Sequence, residues 1–502
     1  MIKKKTLLLA LLTLIGSVLV FAGGFEALEN SVVEKTLPNG MKVLILPRHN
    51  APVFTGLIYA DVGGANEQQN ATGLAHIFEH MAFKGTTTVG TKDYTKEKAA
   101  LDKIEKAFLA LRAARDRKPK ASDEELKTLE DAFQKAQEDA QPFVVQNELG
   151  EILEREGSPD LNAFTSFDQT VYLYSLPSNK LELWAAIESD RFANPVLREF
   201  YKEKDVIMEE KRMGESSAFG KLLDDFMAVA FKNHMYRSWV IGSMSDLKHI
   251  SRTEAEAWFQ KYYCARNLTA VLVGDVDPAA AMPLLEKYLG KIPAGEKPSM
   301  FVSEEPQQRA EKRIIMEDPA QPFVVVAYHK PAFDDPDNSV YDAIADILGG
   351  GPSSRLSTSL VKEKKLALYA ATYTDLGKKY PGLFLFFAVP NQGKSPEECE
   401  KALYEEIEKL KTTPVTPEEL EGLKARSKAN FIKAIDNNMG LALNLASYQN
   451  LTGNWRDLFR ELEKIDKVTA DDIMRIARKT FVGTNKTVGI IKTAPAKDAE
   501  AK

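Results

Sequence analysis

The stretch ISRTEAEAWFQKYYCARNLTAVLVG, from Ile250, has an echo in VTADDIMRIARKTFVGTNKTVGIIK, from Val468. At that constant offset, with no gap, Lys261 meets Lys479, Asn267 meets Asn485 and Thr269 meets Thr487. Both pieces read as an amphipathic helix followed by a strand. A unit that returns in this way constrains the chain to two related halves, each mixing helices with a sheet, an α+β architecture. A length of 502 residues suits two or three domains, and 44% hydrophobic with 27% charged residues is a soluble globular composition. The formal charge of −6, with no basic patch interleaved with aromatics, argues against nucleic acid as a partner.

The first residues run MIKKK, TLLLALLTLIGSVLVF and AGG, a positive start, an apolar stretch and a small-residue exit. This predicts a signal peptide cut after Ala22 and an exported protein, periplasmic or secreted. A retained anchor is the competing reading, because the apolar run comes close to spanning length. Cys264 and Cys399 stand far apart in sequence, so the fold does not lean on cross-links.

VVEKTLPNGMKVLILPR predicts a strand pair turning at PNG, and APVFTGLIYADVG a further strand. Between Asp93 and Gln141 two helical runs show apolar residues spaced 3, 4, 3. They are Leu101, Ile104, Phe108 and Leu111, then Leu126, Leu129, Phe133 and Ala136. Ser122 with Glu125 predicts a capping box for the second run. The result is a charged helical hairpin with a narrow apolar seam and a solvated outer face. NAFTSFDQTVYLYSLP returns to strand character, while GEKPS and SEEPQQ mark an exposed linker.

GLAHIFEHMAFKGT carries His76, Glu79 and His80. On a helix His76 and His80 lie about 40° apart, with Glu79 about 60° to the other side of His76, so all three project from one face. Two imidazoles on adjacent turns form a chelating pair for Zn²⁺, and a carboxylate beside them can deprotonate water on the metal. The order HxxEH reverses the more familiar HExxH. A third ligand should come from another helix, and FYKEKDVIMEEKRM offers Glu203, Glu209 and Glu210 without spacing alone deciding among them. His₂Glu also suits Mn²⁺ or Co²⁺. His49, His234, His249 and His329 lack a comparable partner and read as ordinary histidines.

Taken together, these residues resemble the pitrilysin–insulinase family of zinc metallopeptidases, the inverzincins, which includes the mitochondrial processing peptidases. GLAHIFEHMAFKGT is similar to the family's zinc helix, NAFTSFDQTVYLYSLP to its following strand, and NLTAVLVGDVDP to the strand closing its first domain. The resemblance implies a zinc endopeptidase with one Zn²⁺ per chain, held by His76, His80 and Glu210, with Glu203 as a supporting carboxylate. It implies that Glu79 activates the water, and that Asn162 and Ala163 lie on an edge strand that takes the substrate backbone. It implies two halves facing each other across a chamber, acting on peptides or unfolded polypeptide segments. The domains would be a leader over 1–22, a zinc-binding peptidase domain over 23–292 with the hairpin inserted at about 95–141, a linker over 293–308, and a peptidase-like domain over 309–502 without HxxEH.

There is one departure. The family places an Arg, then a Tyr seven residues later, near the substrate carbonyl. GGGPSSRLSTSLVKEKKLALY matches Tyr369 but puts Lys362 at the Arg position. Lysine keeps the charge and loses the planar fork, whereas the Tyr369 hydroxyl can still stabilise an oxyanion. Some bacterial relatives divide the work between subunits. The partner expectation is therefore a homodimer, or a heterodimer with a related chain supplying the Arg/Tyr pair, and a non-catalytic binding subunit is the remaining alternative.

Overall fold

The computed structural model describes residues 25–299 and 302–494, so the leader expected over 1–22 lies outside the described residues. The first half builds on β1 (Val33–Thr36), β2 (Lys42–Pro47), β3 (Val53–Ala60), β4 (Asn162–Thr165), β5 (Thr170–Pro177) and β6 (Leu268–Gly274), in the sheet order β1-β2-β6-β3-β5-β4. The second builds on β7 (Lys312–Asp318), β8 (Phe323–Lys330), β9 (Ala367–Tyr373), β10 (Gly382–Pro390) and β11 (Lys486–Thr493), in the order β7-β11-β8-β10-β9. Each sheet holds one parallel pair, β2 with β6 and β11 with β7, and is antiparallel elsewhere. From that pair onward the two strand orders coincide, and the two related α/β halves expected from the repeat are borne out.

The matched residues do matched work. Asn267 donates its side-chain amide to the carbonyls of Tyr262 and Asp61, at 2.9 and 3.2 Å. Asn485 donates to the carbonyls of Thr480 and His329, both at 3.0 Å. In each half the asparagine therefore satisfies backbone groups at the corner where a helix hands over to a central strand.

The helices that position the site are α1 (Leu74–Met81), α2 (Tyr94–Asp116), α3 (Asp123–Ala140), α4 (Phe200–Glu215), α5 (Ala218–Ala230) and α6 (Arg252–Tyr262) in the first half. The second half adds α7 (Asn438–Leu451) and α8 (Ala470–Thr480). The repeated helices α6 and α8 start with capping boxes, Ser251 with Glu254 and Thr469 with Asp472.

The halves interlock by exchanging a helix. Leu222 and Phe226 of α5 join an apolar cluster with Val325, Leu385 and Ile491 of the second sheet. Leu441 and Leu445 of α7 join one with Leu57, Val271 and Val273 of the first. Helices on both faces explain why β6 is buried at every position and reads as a continuous apolar run. Gly489 lets α5 sit this close, because a Cβ there would come within 2.8 Å of the Phe226 ring. Between the halves lies an apolar recess of about 260 Å³, with Phe219 and Leu223 from the first half and Phe323, Tyr373 and Phe387 from the second.

The charged segment is the expected helical hairpin. Phe133 of α3 rests on Phe108 and Tyr201, at 5.7 and 5.1 Å, while Ala140 is the one buried residue of α3. The capping box is half made. The Ser122 hydroxyl accepts from the Glu125 amide at 3.2 Å, but the Glu125 carboxylate pairs with Arg117 instead of turning back. The stretch 293–308 has no helix or strand among its described residues, yet Glu305 ties it down by accepting the amides of Lys232, Asn233 and His234. Cys264 and Cys399 are both buried and free. Among the described residues no helix is long and apolar enough to cross a membrane.

Candidate metal centre

Apolar residues Leu74, Ala75, Ile77, Phe78 and Met81 turn one side of α1 into the core, with the Phe78 ring stacked 4.3 Å from Phe259. His76, Glu79 and His80 are left on the opposite side. Gly73 begins the helix at φ 97°, where a Cβ would stand 2.8 Å from the Ile241 carbonyl, so a glycine is required. The buried Glu67 carboxylate accepts the amides of Gly73 and Ala75, both at 2.8 Å, and so caps the helix.

α4 crosses α1 and presents Glu203 and Glu210. One atom each from His76, His80 and Glu210 lies within 4.8 Å of the others, the single such group of three potential ligands among the described residues. The Nε2 atoms of His76 and His80 stand 3.9 and 3.8 Å from Glu210 Oε2. Glu209 points away, pairs with Arg212 and is exposed, so the geometry separates the candidates that spacing left open. Glu203 Oε2 faces His80 Nδ1 at 3.4 Å, and its other oxygen meets Lys84 Nζ at 2.5 Å.

Two further features fit a divalent metal. His76 Nε2 is the nitrogen turned toward Glu210, and the buried Nδ1 has no hydrogen-bond partner. Burial, and secondarily the neighbouring His80, lower the His76 pKa to about 4, which keeps an electron pair free at neutral pH. The set of two imidazoles and a carboxylate is one that binds Zn²⁺. Burial lowers the His80 pKa as well, but Glu203, Glu79 and Glu210 outweigh it and raise the pKa above its ordinary value. For Glu203 burial is likewise overcome, by His80 and Lys84, and the carboxyl is held at about 2. Burial raises the Glu79 carboxyl, opposed by the hydrogen bond from Thr165 and by His80. The Thr165 hydroxyl donates to Glu79 Oε2 at 2.5 Å.

The frame around these groups is a buried ion pair. The Arg198 guanidinium bonds both oxygens of Glu97, at 2.7 and 3.2 Å. It also donates to the carbonyls of Lys84, Thr86 and Val89 in the loop after α1. Arg198 sits just ahead of α4, so this one side chain joins the two helices that bring the histidines and Glu210 together.

A cleft of about 500 Å³ opens over the centre, lined by His76, Thr165, Glu210, Met213, Trp239 and Ile241. Asn162 and Ala163 lie on β4, an edge strand of the first sheet. Lys362 and Tyr369 do not line this cleft. Lys362 Nζ donates to the Pro352 carbonyl at 2.6 Å, and Tyr369 stands half-exposed on the edge strand β9 with its ring 5.8 Å from Phe387. The remaining histidines are engaged elsewhere, for example His49 with Asp275 and His249 with Asp116. Sequence reasoning missed Lys84, Thr165 and Arg198. Lys84 was within reach, being one turn beyond His80, and Thr165 two residues after Ala163 on the same strand edge.

The chain matches the family described as insulinase, peptidase family M16, over residues 42–112 and 144–243, and the family described as peptidase M16 inactive domain over 249–427. The break falls on the helical hairpin. The zinc protease PqqE of Helicobacter pylori is 27% identical over 470 residues, covering 91% of this chain and 92% of that protein. The mitochondrial-processing peptidase subunit beta of Lentinula edodes is 24% identical over 464 residues, covering 88% and 86%. The crystal structure of a protease from Helicobacter pylori superposes with a TM-score of 0.76 at 25% identity, covering 92% of this chain and 99% of that one.

Proposed function

This chain belongs to the insulinase family of zinc metalloproteases, M16, and on that premise we propose that it cleaves internal peptide bonds of extended, unfolded polypeptide segments. The observation that carries the reading is the convergence of His76, His80 and Glu210, with Glu79 on the same helix as the histidines, at a cleft that His76 and Glu210 line. Those three residues would hold one Zn²⁺, a Lewis acid that polarises the scissile carbonyl and makes water a better nucleophile. Glu203 orients His80 through Nδ1, and Lys84 holds Glu203 in turn. Glu79 takes the proton from the attacking water on its carboxylate and hands it to the leaving amine. The substrate backbone adds as a strand along β4 at Asn162 and Ala163, so affinity comes from main-chain hydrogen bonds. Residues 23–292 would form the catalytic domain and 309–502 its non-catalytic counterpart. The leader-like start supports a location outside the cytoplasm.

A second reading rests on the position of Lys362 and Tyr369 away from the cleft. In it the chain supplies the zinc site, and a second subunit, identical or related, supplies an oxyanion-stabilising pair. The name of the Lentinula edodes relative, a subunit beta, accords with that arrangement.

The test is hydrolysis of a quenched fluorescent peptide library by the purified full chain loaded with zinc. Turnover that Glu79→Gln lowers about 10²- to 10⁴-fold, with zinc retained, is the expected result. Zinc binding without turnover by the chain alone would favour the two-subunit reading. Turnover unchanged in Glu79→Gln would overturn the mechanism.

A further inference from the structure

Thr165 ends the edge strand β4. Its hydroxyl donates to Glu79 Oε2 at 2.5 Å. The Ser166 amide turns inward, donating to the Gln169 carbonyl at 2.8 Å, so the two-residue period of a strand puts the Thr165 and Ala163 amides on the outward edge. The structure agrees, because the Ala163 amide donates to its neighbour's side chain, Asn162 Oδ1, at 2.9 Å. The outward edge thus offers two amides. The first is covered by a carboxamide that an incoming carbonyl can displace, and the second belongs to the residue whose hydroxyl holds Glu79.

We propose that Thr165 is a positioning residue for hydrolysis: its hydroxyl fixes the Glu79 carboxylate at the end of β4, so that a peptide paired at Ala163 runs out of strand where Glu79 stands. This rests on the reading of Glu79 as the base and of β4 as the substrate edge. The threonine side chain suits the task. Its branched Cβ restricts χ1 within a strand, so the hydroxyl is held in place before substrate arrives.

The experiment compares Thr165→Val, which keeps the shape and loses the hydroxyl, with Thr165→Ser, which keeps the hydroxyl. Both are made in the zinc-loaded full chain and assayed with a peptide the native chain cleaves. Thr165→Val should lower kcat about ten- to hundred-fold, with KM changed less than about two-fold and zinc still bound one per chain. Thr165→Ser should recover most of the loss. A kcat for Thr165→Val close to native, or a deficit that Thr165→Ser shares in full, would overturn the proposal. A readout independent of turnover is the crystal structure of Thr165→Val. The proposal expects the Glu79 carboxylate to leave its native position, and an unmoved carboxylate would contradict it. A native chain with no turnover would favour the two-subunit reading, while the crystallographic comparison would still decide the role of Thr165.

Discussion

Glu203 faces His80 across 3.4 Å at Nδ1, which turns Nε2 of the same ring toward Glu210. A histidine's second nitrogen decides how its first one is presented, and here that second nitrogen is held by a carboxylate anchored on Lys84. Glu203→Gln should therefore leave the fold intact and weaken zinc binding about 10- to 100-fold. Competition with a chromogenic chelator measures this directly. Unchanged affinity would show that His80 needs no such support.

The buried pair of Arg198 with Glu97 makes a different prediction. Both side chains are fully enclosed, and the guanidinium also satisfies three loop carbonyls. Glu97→Gln leaves a buried cation without its counter-charge, and unfolding in urea should show a loss of about 3–5 kcal/mol. A loss below about 1 kcal/mol would place the pair among weakly coupled surface bridges.

Glu34 joins the halves from the outer edge of the first sheet. Partial burial raises its pKa, but hydrogen bonds from Lys42, Trp455 and Arg456 prevail and hold the carboxyl at about 2, below its ordinary 4.5. A lowered carboxyl pKa contributes stability that is complete above about 4.5 and is lost as the pH falls through about 2. Glu34→Gln should be less stable than the native chain at pH 7, with the difference shrinking across that window. Urea midpoints measured from pH 7 to pH 2 check it, and a constant difference would remove Glu34 from the account.

Much of this fold is legible in the sequence because the repeated corner carries its own chemistry. Asn267 and Asn485, and the capping residues Ser251 and Thr469, are local signals whose partners lie within a few residues along the chain. The exchange of α5 and α7 between the sheets is not legible. Leu222 and Leu441 read as ordinary helix faces, and only the folded chain shows which sheet each one covers. The histidines and Glu79 were legible for a related reason, since one helical turn sets their spacing. Spacing alone left Glu203, Glu209 and Glu210 open, because which face of α4 meets α1 depends on Arg198, a contact made across long sequence separations. Glu125 shows the converse limit. Its position suits a capping box, but a nearby Arg117 competes for the carboxylate and wins.

The most direct measurement is a calorimetric zinc titration of the metal-free chain, repeated with Glu210→Gln and Glu209→Gln. The account predicts one zinc per native chain, unchanged binding in Glu209→Gln, and a loss in Glu210→Gln greater than the about 100-fold expected of a supporting residue. Equal binding by native chain and Glu210→Gln, or a loss confined to Glu209→Gln, would contradict it.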